Sequence, residues 1–104
     1  MRFILLVIII IHGLIHILGF IKAFELAEVN QLTHSISKPV GVFWLITTLL
    51  FIFTAVIYFF CKEWWWIACL VAVIISQILI ILSWSDAKFG TIANVILLLV
   101  IIVT

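Results

Sequence analysis

Four apolar runs dominate the chain: Phe3 to Ile21, Val40 to Phe60, Trp64 to Leu82 and Phe89 to Val103. No Asp, Glu, Lys or Arg falls inside any of them. A run of this kind constrains the fold more than any motif does. A membrane-crossing helix needs about 20 mostly apolar residues, whereas a membrane strand needs about 9–11 with alternating polarity. The runs show no alternation, so the fold class is an all-α bundle of four transmembrane helices rather than a barrel. The first run follows Arg2 as a signal peptide would, but it outlasts an ordinary h-region and no small-x-small cleavage site follows it. It is therefore expected to be retained as the first span.

The whole chain reads as one integral membrane domain over residues 1–104, with spans at about 3–22, 40–60, 64–83 and 88–104. Composition agrees: 69% of the residues are hydrophobic, 9% are charged, and the mean hydropathy is +1.61. Average soluble domains carry about 25% charged residues. This excludes a soluble globular enzyme, a disordered chain and a nucleic-acid binder, which needs a basic patch. The bilayer is the surrounding partner, with a homo-oligomer or a second membrane protein as further candidates.

The connections are uneven. Lys62-Glu63 and Trp84 to Lys88 are short and predict antiparallel neighbours. Residues 23–38 form a longer connection that carries Glu25, Glu28, Asn30, Gln31, Thr33 and His34 among apolar residues, a mixture that suits a helical or interfacial segment. Ser37 and Pro39 read as an N-cap and first-turn proline for the second span. Trp64, Trp65 and Trp66 form an aromatic belt at one interface, with Trp44 and Trp84 near the other. Four spans put both termini and the Lys62-Glu63 turn on one face. Lys and Arg then divide two (Arg2, Lys62) against three (Lys22, Lys38, Lys88), which leaves orientation open.

Polar residues inside spans are expensive and are where function would show. At about 1.5 Å of rise per residue, His16, Gln77 and Asn94 each lie roughly 9 Å below the face that holds the first and third connections. Thr47 lies about 12 Å deep and His12 about 15 Å. Three helices thus offer polar groups at one level, and His16, Gln77 and Asn94 are expected to meet around one small cavity, with residues 23–38 as a lid. Within helices, His12, His16, Gly19 and Ala23 form one seam, Asp86, Gly90 and Asn94 another, and Ala68, Ala72 and Ser76 a small-residue stripe with Gln77 beside it. Such residues also serve as plain helix-to-helix glue. Lipid-facing positions are expected to be the Ile, Leu and Val of helices one and four.

His12 and His16, at i and i+4, have the spacing by which one helix gives a metal ion two nitrogens. Structural zinc needs four ligands, and only Asp86 is a good further donor. Haem ligation would need imidazoles from two protomers. The alternatives stay open: neutral imidazoles bonded to neighbours, a proton or substrate site, or a metal or haem site. Asp86 also reads as the N-cap of the fourth helix. Cys61 and Cys69 form no C-x-x-C, so no thiol relay is indicated.

The segments His12-Gly13-Leu14-Ile15-His16-Ile17-Leu18-Gly19-Phe20 and Trp84-Ser85-Asp86-Ala87-Lys88-Phe89-Gly90-Thr91-Ile92-Ala93-Asn94, with the Trp44 helix, resemble an uncharacterised group of small four-helix bacterial membrane proteins. In some of its members the same unit precedes a soluble domain. The resemblance covers nearly the whole chain and implies four spans in a bacterial inner membrane, but no activity. Length and span count are also similar to those of small multidrug transporters, but these rely on a membrane-embedded Glu in helix one, and this helix one has no carboxylate. The resulting expectation is a non-enzymatic structural or accessory module whose buried cluster of His12, His16, Gln77, Asn94, Asp86 and Thr47 holds the helices and takes a small ligand. The alternative is a proton-coupled transporter or a metal- or haem-binding protein using His12 and His16.

Overall fold

The computed structural model describes residues 2–29, 32, 35–60 and 63–103, and among these the chain is helical with no strand. The helices are α1 (Arg2–Ala23), α2 (Lys38–Phe59), α3 (Trp65–Leu82), the single turn α4 (Trp84–Ala87) and α5 (Gly90–Val103). Three of them, α1, α2 and α3, are long and apolar enough to cross a membrane. The chain is a membrane protein. Its long dimension of 38 Å, against 21 and 20 Å across, fits a hydrocarbon core of about 30 Å with part of each interface.

The helix ends follow local chemistry. Ser37 is the N-cap of α2, in extended geometry and without a side-chain bond, and Pro39 sits in the first turn, where its missing N–H is no loss. α1 ends in a Schellman closure: the Glu25 N–H donates to Lys22 O and the Leu26 N–H to Ile21 O. Glu25 occupies the left-handed region at φ 54°, a place usually taken by glycine. No described residue between Phe24 and Ser37 is helical, so the first connection is a loop there and not an interfacial helix. Asn30, Gln31, Thr33, His34, Cys61 and Lys62 lie outside the described residues.

After α3 the chain does not enter α5 directly. Ser83 caps α4, where the Asp86 and Ala87 N–H groups donate to Ser83 O. Asp86 is thus inside this first turn and is not the cap of α5. Lys88 and Phe89 separate the two helices, bridged by bonds from Thr91 N–H to Lys88 O and from Ile92 N–H to Phe89 O.

α1 and α2 pack antiparallel along a seam that small residues bring close. Gly13 lies against Phe51, Gly19 under the indole of Trp44, and Ala23 against Gly41. A methyl group added at Gly13 would stand 2.6 Å from Phe51 Cβ, and those at Gly19 and Gly41 would meet Trp44 and Ala23 closer still. α3 lies against α2 and α5, and α5 also touches α1. Leu5, Ile9, Phe51, Ala55, Cys69, Ala72 and Leu97 form the apolar core on one side of the polar groups. Large exposed apolar side chains occur on α2 and α3, such as Phe43, Leu49, Val71 and Ile78, as well as on α1 and α5. The lipid-facing surface is therefore wider than helices one and four, because each helix of a thin bundle keeps one face outside. Trp64, Trp66 and Trp84 are exposed, but Trp65 is buried beside Tyr58 (ring centroids 4.9 Å apart) and Trp44 lies inside the bundle. Trp44 is no belt residue.

Replacing Gly19 by Leu is expected to destabilise the bundle by about 1–3 kcal/mol, the usual cost of overpacking a fitted contact. Leu14→Ala on the exposed face of α1 is expected to leave stability unchanged. Thermal melting in detergent checks both, and an unchanged Tm for G19L would contradict the seam.

Candidate functional site

One stripe of α1 carries His12, His16, Gly19 and Ala23, since side chains three and four apart share a helix face. Its lower half meets α2 through the small residues. Its upper half presents both imidazoles to α3 and α5, with the aromatic rings of α2 behind them. The His12 ring lies 5.0 Å from that of Phe51, and the His16 ring 5.3 Å from Trp44. The imidazoles themselves meet edge to face at 4.6 Å.

On the polar side a hydrogen-bond network runs through three helices. His12 Nε2–H donates to Asn94 Oδ1 (2.8 Å). The Asn94 amide in turn donates to Ser76 Oγ (3.0 Å) and to Gln77 Oε1 (3.1 Å). Gln77 Nε2 donates to Thr91 Oγ1 (3.1 Å). His16 Nδ1 lies 2.7 Å from the carbonyl of His12, and its Nε2 lies 2.6 Å from Ser76 Oγ.

The directions of these bonds are fixed by what each atom can do. A carbonyl only accepts, so His16 carries a proton on Nδ1, and in the tautomer with that proton alone its Nε2 accepts from the Ser76 hydroxyl. Ser76 then has lone pairs left for Asn94, and the amide of Asn94 has a single orientation that serves both neighbours. Both nitrogens of His16 are occupied.

His12, His16, Gln77 and Asn94 are thus brought into one network, and His16 reaches the amides through Ser76. Thr47 is fully buried but stands apart. Its hydroxyl donates to Phe43 O at 2.8 Å, the i−4 self-satisfaction open to Thr in a helix. Thr48 and Thr54 do the same toward Trp44 O and Leu50 O.

Next to the network lies a cavity of about 490 Å³ lined by His12, His16, Gly19, Leu32, Trp44 and Asp86, with apolar residues of α1, α3 and α5. Gln77, Asn94 and Ser76 stand behind this wall and are not part of its lining. Leu32, from the long connection, covers part of the cavity and is itself buried. Asp86 is the one carboxylate on the lining. Trp44 is 4% exposed, and its Nε1–H has no partner among the described residues. A buried donor left unpaired costs about 1–3 kcal/mol.

No protein-family model matches the chain, and comparison with curated proteins and with solved structures finds no similar protein.

The chemistry available to this arrangement is limited by how fully it is bonded. A hydroxyl, an imidazole and an orienting carbonyl in series repeat the logic of an activated nucleophile. However, Ser76 is fully buried, does not line the cavity, and shares its oxygen with Asn94. Among the described residues no three His, Cys, Asp or Glu side chains group as metal ligands. Cys69 is a free, buried thiol in the apolar core.

Three participants escaped sequence reasoning. Ser76 was visible only as a small residue on a packing stripe, Thr91 not at all, and Trp44 both as an interface residue and as part of a packing seam of the second span with Gly41, Thr48, Phe51, Ala55 and Tyr58. The depth of Ser76, one residue from Gln77, was the available signal for the first. For Trp44 the signal was its helical spacing with Gly41, Thr48, Phe51 and Ala55, all of which are buried.

Asn94 is the hub of the network, so Asn94→Leu is expected to destabilise more than Ser76→Ala. Interhelical hydrogen bonds in membranes average about 0.6 kcal/mol and reach about 1.7. Asn94→Leu breaks bonds to three side chains and should cost roughly 1–3 kcal/mol. Denaturation in mixed micelles tests the order, which would be wrong if S76A proved the more damaging.

Proposed function

We propose that the chain is a four-span, non-enzymatic membrane module, both termini on one face, that holds a small ligand in the cavity beside its histidine network. Antiparallel packing of α1 on α2 and of α3 on α5 supports the four-span topology. α5 alone has 14 residues, about 21 Å of helix, which is short of a hydrocarbon core of about 30 Å. Together with α4 and the Lys88–Phe89 turn it provides the remaining length. We further propose a bacterial inner-membrane setting, as the sequence resemblance of the His12–Phe20 and Trp84–Asn94 segments implies.

The observation that carries the reading is the division between bonded and open groups. The network is closed on itself and holds α1, α3 and α5 together, while the same two histidines also face a cavity that no described side chain fills. A ligand pocket has this make-up: a mostly apolar wall with a few fixed polar groups. A metal ion or haem held by both imidazoles would have to displace Asn94, the His12 carbonyl and Ser76 from their bonds. The geometry therefore favours ligand holding over metal or haem binding.

The test uses Nile red, a neutral solvatochromic dye, with protein purified in mild detergent. Wild type is expected to enhance and blue-shift its emission above that of empty micelles. Ala93→Phe, which places a ring in the cavity, is expected to lose most of that signal while melting within a few degrees of wild type. Equal dye signals from the two proteins would overturn the reading.

A further inference from the structure

A second cavity, of about 480 Å³, lies at the other end of the bundle, lined by Glu63, Trp65, Trp66 and Ile101. Ser76 of the histidine network is ten residues further along α3 than Trp66, about 15 Å of helix, so the two sites are separate. The level of this cavity in the membrane follows from the sequence. No Asp, Glu, Lys or Arg occurs from Pro39 to Cys61 or from Trp64 to Ser85, so the Lys62-Glu63 turn marks where the chain meets water between α2 and α3. Trp64 and Trp66 are exposed beside it, as tryptophans at the head-group level are. About one turn deeper, Val71 of α3 and Leu98 of α5 are exposed and apolar. The cavity thus stands at the height of lipid head groups, with a surface for acyl chains beneath it.

The wall selects among head groups. Glu63 is exposed and is the one charged residue among those described on the lining. Trp65 and Trp66 add two indoles, whose ring faces attract cations. Trp65 is held in place, buried with its ring 4.9 Å from that of Tyr58. Ile101 belongs to the last turn of α5 and Trp66 to the first turn of α3, so a negative and a positive helix end meet here. The turn carries one charge of each sign as well, Lys62 and Glu63. A zwitterion matches this arrangement, with its cationic end at the carboxylate and the indoles. An anionic head group brings nothing positive to Glu63. A soluble cation would satisfy Glu63 but gain nothing from the apolar surface below. The volume takes a head group and leaves the acyl chains outside.

We propose that this cavity binds the ammonium end of a zwitterionic phospholipid head group, held between the Glu63 carboxylate and the Trp65 and Trp66 indoles, with the acyl chains along the apolar faces of α3 and α5. The site is independent of the cavity beside the histidines, and neither reading requires the other.

Purified protein in a non-ionic detergent is titrated with dioleoyl phosphatidylethanolamine, phosphatidylcholine and phosphatidylglycerol, and the first bound lipid is counted by native mass spectrometry. Indole N–H resonances of ¹⁵N-labelled protein report where that lipid sits. At least one zwitterionic lipid is expected to bind more tightly than phosphatidylglycerol and to shift the Trp65 or Trp66 signal more than that of Trp44. Glu63→Gln is expected to weaken that lipid about two- to fivefold, the range of an exposed ion pair, and to leave phosphatidylglycerol unchanged. Trp66→Leu is expected to weaken it by a similar factor, the range of an exposed cation–π contact. Glu63→Lys is expected to turn the preference toward phosphatidylglycerol.

Phosphatidylglycerol binding wild type as tightly as both zwitterionic lipids would overturn the assignment. So would E63Q and E63K that leave the preference unchanged, or a preference that moves neither the Trp65 nor the Trp66 signal. Glycerophosphoethanolamine, a head group without chains, is expected to bind far more weakly than the lipid, and equal binding would overturn the lipid as occupant. Should W66L not fold, E63Q and the indole shifts still decide the matter.

Discussion

A polar side chain inside a bilayer must find its partners within the protein, because the surrounding hydrocarbon cannot hydrogen-bond. The bundle is organised around one solution to this demand, the amide of Asn94. Its oxygen receives the His12 proton, and its nitrogen gives protons to Ser76 and Gln77. Asn94 and Leu97 are the buried residues of α5, so much of what holds this helix in place passes through one side chain. Removing α5 would in turn open one side of the site, since Asn94 fixes His12 and Gly90 sits 3.7 Å, by its virtual Cβ, from the same imidazole.

The glycine seam between α1 and α2 solves a different problem. Apolar burial drives no association between helices that leave lipid for each other, so close van der Waals fit has to supply it. Gly13, Gly19 and Gly41 bring the backbones near enough for Phe51 to cover Gly13, Trp44 to cover Gly19 and Ala23 to meet Gly41. That covering also fixes where the two aromatic rings stand, and they form the back of the histidine pair. The seam thus sets the position of groups that it does not itself bond.

How much of this was legible follows from which signals a sequence carries. The apolar runs were legible because the bilayer imposes a length and a lack of charge that few other structures share. The common depth of His16, Gln77 and Asn94 was legible because helical rise converts residue number directly into distance. Rotation about the helix axis was not. It decides that Thr47 bonds its own helix while Ser76 turns toward His16, and that Trp44 faces inward while Trp64 faces out. Rotation depends on the fit of several helices at once, and no single segment contains it. The break at Lys88–Phe89 was hidden for a related reason: Ser83 starts a helical turn early, so that Asp86 serves that turn and not the start of α5.

His16 and Trp44 stand side by side and are satisfied to different degrees. The polar atoms of His16 are engaged by the protein at both nitrogens. The Trp44 N–H has no partner among the described residues, a deficit of the same order as the gain from an interhelical hydrogen bond or two. The bundle bears that cost because Asn94 and its partners hold α1, α3 and α5 independently of it, and because the indole is fixed by its fit over Gly19, where no larger residue could stand.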